Sequence, residues 1–198
     1  MFNQQEYSAT LTGAAFMLYE FKKVLTLKNV GMSDHEIRKT ILEENSFQYQ
    51  KNSSLKRSLP SLLRRAHVLD EFLTKMVLEE SLQSGKIINL YAIMKTDRLF
   101  FEFMNEVIRE KFETNNYLLE KKDLNLYFTS KAEQDAGVAS WTEQTVNKLK
   151  QVILRILEES GVLKDKKTGE LSRLLMDDQL KGRMIQSGEV IYIRAMGE

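Results

Sequence analysis

For chemistry, this 198-residue chain offers two histidines, no cysteine and scattered carboxylates. His35 opens the stretch "HEIRK", which begins like a zinc-binding helix but lacks the second histidine four residues on. His67 has no such motif around it, so no metal site is expected. The nine glycines are scattered, and none builds a phosphate loop. No Gly-x-Ser-x-Gly elbow is present. The pairs Glu43–Glu44, Glu79–Glu80 and Asp177–Asp178 are adjacent, so their side chains diverge on a helix and read as solvated faces. Nucleophilic catalysis would need an unusual constellation. The chain is expected to be no enzyme and to carry no cofactor.

The cations are more informative. "KNSSLKRSLPSLLRRAH" runs from Lys51 to His67 without an Asp or Glu, in a chain whose net charge is only +1. Lys51, Lys56, Arg57, Arg64 and Arg65 crowd there, with Ser54 among them. Helical charge runs usually mix signs for pairing four residues apart, and this one does not. Unpaired cations so close raise the local potential and favour a polyanion. The competing reading is a solvated helix face.

A second constellation starts at Trp141. A winged helix-turn-helix needs a capped helix with short polar and basic residues near its start, followed by a basic hairpin. Thr142, Gln144, Thr145 and Lys148 stand at the start of such a helix, and Gln151 and Arg155 continue its polar side. Lys164, Lys166 and Lys167 would sit in the wing. The competing reading is an ordinary amphipathic helix beside a basic loop.

The elements that must position these residues are mostly helices. Leu, Lys, Glu, Met and Ala abound, and the single proline, Pro60, leaves little to interrupt helices. A first helix is predicted over 11–28, stopped at Gly31. Ser33 with Glu36 forms a capping box for a second. Pro60 leaves two options: a kinked helix capped by Ser54, or a helix capped by Ser58 with Pro60 in its first turn. The second is preferred. Asp70 starts a further helix. "QSGK" at 83–86 is the expected boundary between an N-terminal helical lobe, 1–84, and a C-terminal lobe, 85–198. "KIINLYAIMKT" and "DRLFFEFMNEVIREKFE" read as two apolar core helices, with Asp97 capping the second and Arg98 pairing with Glu102. A helix ending at Gly137 follows, and then a helix with Ser140 and Glu143 as capping box, stopped at Gly161. A hairpin turning at 166–169, a helix over "DDQLKGRMIQSG" and a strand over "EVIYIRAM" complete the prediction. The fold class is therefore mainly α: two packed helical lobes with helix-turn-helix-like parts and a small C-terminal β wing.

Apolar residues make up 42% of the chain, enough for a real core. No apolar run approaches the ~20 residues of a membrane-spanning helix. The N-terminus does not read as a signal peptide. With no cysteine, a reducing, cytoplasmic setting and no membrane association are expected.

Four blocks then carry a family resemblance: "YSATLTGAAFMLYEF", "IRKTILEENSFQYQ", "NLYAIMKTDRLFFEFMNEVIREK" and "WTEQTVNKLKQVILRILEESGVL". In this order they resemble the BrxA family of bacterial BREX phage-defence systems, from about Tyr7 to Leu163. The resemblance implies a non-enzymatic helical protein likened to the RNA-binding factor NusB, acting beside other BREX defence proteins, with double-stranded DNA as its expected partner. The family has also carried an inner-membrane label, from which this sequence departs. It brings no catalytic residues. The residues themselves leave open a protein–protein adaptor and RNA binding, the latter with Phe47 and Tyr49 as stacking candidates.

Overall fold

The computed structural model describes residues 5–198. Helices dominate, with one small antiparallel hairpin. The chain divides into two compact units: Gly13–Thr96, and Asp97–Glu198 together with the residues up to Thr12.

The Gly13–Thr96 unit holds five helices. After a 3₁₀ turn at Thr10–Gly13 come α1 (Leu18–Asn29), α2 (Asp34–Glu44), α3 (Asn52–His67), α4 (Glu71–Glu79) and α5 (Leu82–Thr96). The predicted first helix thus starts later than 11, because Met17 takes a left-handed conformation and breaks the run. Ser33 and Glu36 form the expected capping box of α2, and Asp70 caps α4 by accepting from the Leu73 N–H at 2.8 Å. α5 is apolar almost all round and is the central helix of the unit, buried from Ser84 to Met94 apart from Lys86. The expected break at 83–86 lies inside α5. Ser81 accepts from the Ser84 N–H at 3.1 Å and starts the helix, and Gly85 is buried in its first turn.

Pro60 also departs from expectation. α3 is continuous from Asn52, with Pro60 in its interior, and Ser58 is no cap. Ser58 is buried and donates to the Leu55 carbonyl at 3.2 Å. Leu55, Leu59, Leu62, Leu63 and Ala66 form one buried stripe from end to end. Burying them together outweighs the one hydrogen bond that Pro60 cannot donate.

In the second unit, one long helical stretch comprises α6 (Arg98–Phe103), a π turn (Met104–Ile108) and α7 (Arg109–Glu113). Asp97 caps it as expected, accepting from the Phe100 N–H at 2.9 Å. Then follow α8 (Lys121–Gln134), α9 (Ala136–Ala139), α10 (Glu143–Ser160), β1 (Leu163–Asp165), β2 (Glu170–Leu171), α11 (Asp178–Gln186) and α12 (Val190–Ala195). Asp135 ends α8, and Gly137 lies within α9. The cap of α10 is Thr142, not Ser140, whose hydroxyl bonds instead to the Gly137 carbonyl. The hairpin forms as predicted, and Gly161 stops α10 in a left-handed conformation.

The segment before α8 adds a third strand-like edge to the hairpin. Leu118 bridges to Glu170, the Leu119 N–H donates to the Gly169 carbonyl at 2.8 Å, and the Leu171 N–H donates to the Tyr117 carbonyl at 2.9 Å. Gly169 has φ +75°, and a Cβ there would lie 2.2 Å from the Leu119 carbonyl oxygen. "EVIYIRAM", expected as a strand, is helix α12. It packs on the π turn, with the Tyr192 ring 5.2 Å from that of Phe101. That packing overrides the β preference of Val-Ile-Tyr-Ile.

No helix among the described residues is long and apolar enough to cross a membrane.

Candidate nucleic-acid interface

α3 sorts its cations by burial. Lys56, Arg57 and Arg64 are exposed, and helical geometry puts them within an arc of about 100° opposite the leucine stripe. Lys56 and Arg64 are roughly 12 Å apart along the axis. Lys51, also exposed, stands at the helix N-cap. Among the described residues, none of the four has a carboxylate partner. Arg64 donates to the Ser61 hydroxyl at 3.0 Å, and the stem of Arg57 lies against Gly13. Ser54 is half-buried beside them.

Arg65 does not belong to this row. It is only 2% exposed, and its guanidinium donates to the Phe16 carbonyl at 3.1 Å and to the Ala14 carbonyl. The side chain leaves α3 on its buried flank, so it anchors the turn before α1 and is out of reach of a phosphate. Asn89, fully buried in α5, donates to the same Phe16 carbonyl at 2.6 Å.

The α10 constellation lies in the other unit. Thr142 caps the helix, accepting from the Thr145 N–H at 3.2 Å, and the two hydroxyls are 3.0 Å apart. Gln144 and Lys148 are exposed, and Thr145 is half-buried. Gln144, Lys148, Gln151 and Arg155 fall within an arc of about 60°. Most nearby cations are already matched. Arg155 pairs with Glu159, Lys164 with Glu170 and Lys166 with Glu158. Among the described residues, Lys148 and Lys167 carry no such partner. Lys167 sits at the hairpin tip, where its backbone N–H donates to the Asp165 carboxylate at 2.8 Å.

Phe47 is buried and Tyr49 half-buried, with the Tyr49 hydroxyl donating to Glu20 at 2.8 Å. The Phe47 ring is not presented for base stacking. Among the described residues, no group of His, Cys, Asp or Glu is arranged to hold a metal ion.

A further polar constellation was legible in the sequence only in part. Arg98 pairs with Glu102 at 2.8 Å, as its spacing suggested. The same carboxylate takes Lys131 at 2.6 Å and the Tyr7 hydroxyl at 2.6 Å. Lys131 also reaches Glu106 at 2.7 Å, and the Arg98 guanidinium stacks 4.1 Å from the Tyr7 ring centroid. Burial alone would raise the Glu102 carboxyl, but the hydrogen bonds from Lys131, Tyr7 and Arg98 outweigh it and hold the group below its ordinary range. Burial would lower Lys131, and its two glutamates reverse that and raise it. Burial raises Tyr7, helped by its bond to Glu102. One signal was present in the sequence: Lys131 lies three, four and seven residues from Phe128, Tyr127 and Leu124, on the apolar side of α8.

Fold and site together define a mainly helical protein with an exposed cationic row on α3, an exposed polar face with Lys148 near the start of α10, and a largely buried ionic network. A family model for BrxA matches residues 5–188. The chain belongs to the BrxA family. It is 40% identical to the BREX protein BrxA of Bacillus cereus (strain H3081.97), over 98% of this chain and 97% of that protein. It is 25% identical to the BREX protein BrxA of Paramagnetospirillum magneticum (strain ATCC 700264 / AMB-1), over 98% and 97%. A crystal structure of an uncharacterized protein from Magnetospirillum magneticum superimposes with a TM-score of 0.84 at 26% identity, covering 97% of this chain and 98% of that one.

Proposed function

We propose that the chain is a non-catalytic, DNA-binding accessory factor of a BREX-type phage-defence system, working in the cytoplasm beside other BREX proteins. The BREX setting rests on the names of its relatives. DNA binding rests on the order of elements in the second unit. A helix (α6 to α7), a strand-like segment (117–119), a helix (α8), the four-residue α9 at the turn, a capped helix (α10) and a hairpin pairing back to that segment follow one another. This is the order of a winged helix-turn-helix, in which α10 takes the place of the recognition helix and β1–β2 that of the wing. That order is the observation that carries the reading.

In this reading Gln144 and Thr142 meet base edges or sugars, and Lys148 and Lys167 meet phosphates. Thr145 supports the first turn, and Lys166 joins once Glu158 releases it. Lys51, Lys56, Arg57 and Arg64 on α3 add a second phosphate contact, with Ser54 at its edge. Stacking on RNA bases at the two candidate rings is disfavoured, because Phe47 is buried and the half-buried Tyr49 is held through its hydroxyl by Glu20. An acidic protein surface is the other partner that α3 could meet.

The test is fluorescence anisotropy with labelled duplex DNA, duplex RNA and single strands over a salt series. Duplex DNA should bind best, with a log–log salt slope of about −5 if Lys51, Lys56, Arg57, Arg64, Lys148 and Lys167 each meet a phosphate. Changing Lys51, Lys56, Arg57 and Arg64 together to Ala should flatten that slope, and Gln144→Ala with Lys148→Ala should weaken binding at every salt. No binding to duplex DNA at low salt overturns the reading. Loss of co-purifying BREX proteins from the α3 variant, with DNA binding intact, assigns α3 to an acidic protein partner.

A further inference from the structure

Within the DNA-binding reading, on which this rests, we infer that Glu158 and Glu170 confine the wing's hold on the duplex backbone to the hairpin tip, where Lys167 stands. The hairpin bears three lysines, Lys164, Lys166 and Lys167, all exposed. Two of them are held by carboxylates of this chain. Lys164 on β1 pairs with Glu170 on β2 at 2.5 Å, and Lys166 pairs with Glu158 near the end of α10. Arg155, further along the polar face of α10 than Lys148, is matched in the same way by Glu159, four residues on. α3 follows the opposite plan. Among the described residues, none of Lys51, Lys56, Arg57 and Arg64 has a carboxylate partner.

An exposed ion pair adds little to stability, so the effect of these pairs falls on the field that a polyanion meets. The sides of the hairpin present as many negative charges as positive, Lys164 and Lys166 against Glu158 and Glu170. A phosphate that took either lysine would have to displace a carboxylate and then lie beside it. Like charges side by side offset what such a contact gains. Lys167 differs. Asp165 accepts from its backbone N–H at 2.8 Å, and its ammonium has no carboxylate partner among the described residues. The wing therefore meets a backbone at one point and α3 meets it along a row, so α3 carries most of the electrostatic grip.

Anisotropy of labelled duplex DNA over a salt series counts the cations that meet phosphates. Glu158→Gln with Glu170→Gln releases Lys166 and Lys164. It should steepen the log–log slope from about −5 to about −7 and tighten low-salt binding about tenfold. Lys164→Gln with Glu170→Gln removes a whole pair at constant net charge and should leave affinity and slope at wild type. Glu110 and Glu133 are exposed carboxylates with no cation partner among the described residues. Changing both to Gln raises the net charge equally but releases no lysine, and should leave the slope unchanged. Wild-type binding with no steeper slope in Glu158→Gln/Glu170→Gln overturns the inference and leaves DNA binding standing. So does a slope that flattens when the Lys164–Glu170 pair is removed, or one that steepens as much in Glu110→Gln/Glu133→Gln. Duplex binding by neither the wild type nor Glu158→Gln/Glu170→Gln overturns both.

Discussion

Lys131 Nζ lies 2.6 Å from Glu102 Oε2 while its side chain is only 3% exposed, so α8 is tied to α6 by a charge pair withdrawn from water. Removing one partner of such a pair leaves the other uncompensated. Lys131→Met should lower the unfolding free energy by about 2 to 4 kcal/mol, somewhat less than a fully isolated pair because Arg98 and Tyr7 still serve Glu102. Urea denaturation followed by circular dichroism reads this directly.

The same pair sets an acid limit. The native Glu102 carboxyl is held below its unfolded value of 4.5. Its contribution to stability is complete above that value and is lost as pH falls through the native one. Lys131 is raised above 10.5, so its contribution is complete below that pH and is lost as pH rises through the native value. Denaturation midpoints measured from pH 3 to pH 6 should fall steeply on the acid side, and more shallowly in Glu102→Gln.

Arg65 and its neighbours on α3 should separate cleanly. Arg65→Met removes the donor to the buried Ala14 carbonyl and one of the two to the Phe16 carbonyl, which keeps Asn89, and should cost about 2 to 4 kcal/mol. The triple change of Lys56, Arg57 and Arg64 to Ala should leave the urea midpoint near wild type and weaken binding to duplex DNA instead. Midpoint and anisotropy measured on the same preparations check both halves.

Pro60 sits inside α3 at a real cost. Its missing N–H leaves the Lys56 carbonyl without its helical partner, and its ring crowds that turn. Pro60→Ala should raise stability by about 1 to 3 kcal/mol, read as a higher urea midpoint with an unchanged slope.

Gly169 is the opposite case. Its positive φ and the Leu119 carbonyl 2.2 Å from a Cβ position leave no room for alanine. Gly169→Ala should destabilise the hairpin and its pairing with 117–119, and amide exchange at Leu119 and Leu171 should accelerate relative to the core of α10.

The helices were legible at most local caps. Ser33 with Glu36, Asp70, Asp97, Gly161 and the turn at 166–169 all did what their spacing implied. The cap expected at Ser140 and the first helix's start were missed for local reasons, at Thr142 and Met17, but three other failures share one cause: the deciding partner was remote in sequence. Pro60 looks like a helix start until the five-residue apolar stripe is seen to pack as one. "EVIYIRAM" looks like a strand until Tyr192 meets Phe101. Arg65 matches Arg64 by type, and only the carbonyls of Ala14 and Phe16 distinguish them. The pairing of Arg98 with Glu102 was legible at four residues' spacing, but not the link to Tyr7, 95 residues away.

That separation also orders events on the ribosome. Residues up to Thr12 belong with Asp97–Glu198, so the whole of Gly13–Thr96 is made between the two halves of that unit. The inner helices can collapse as soon as they emerge, because their contacts lie within their own stretch. Tyr7 is made before Arg98, Glu102 and Lys131, and its hydroxyl must wait for Glu102 before it can donate to that carboxylate. Closing that long loop costs chain entropy that the inner stretch does not bear, so the second unit is completed after the first.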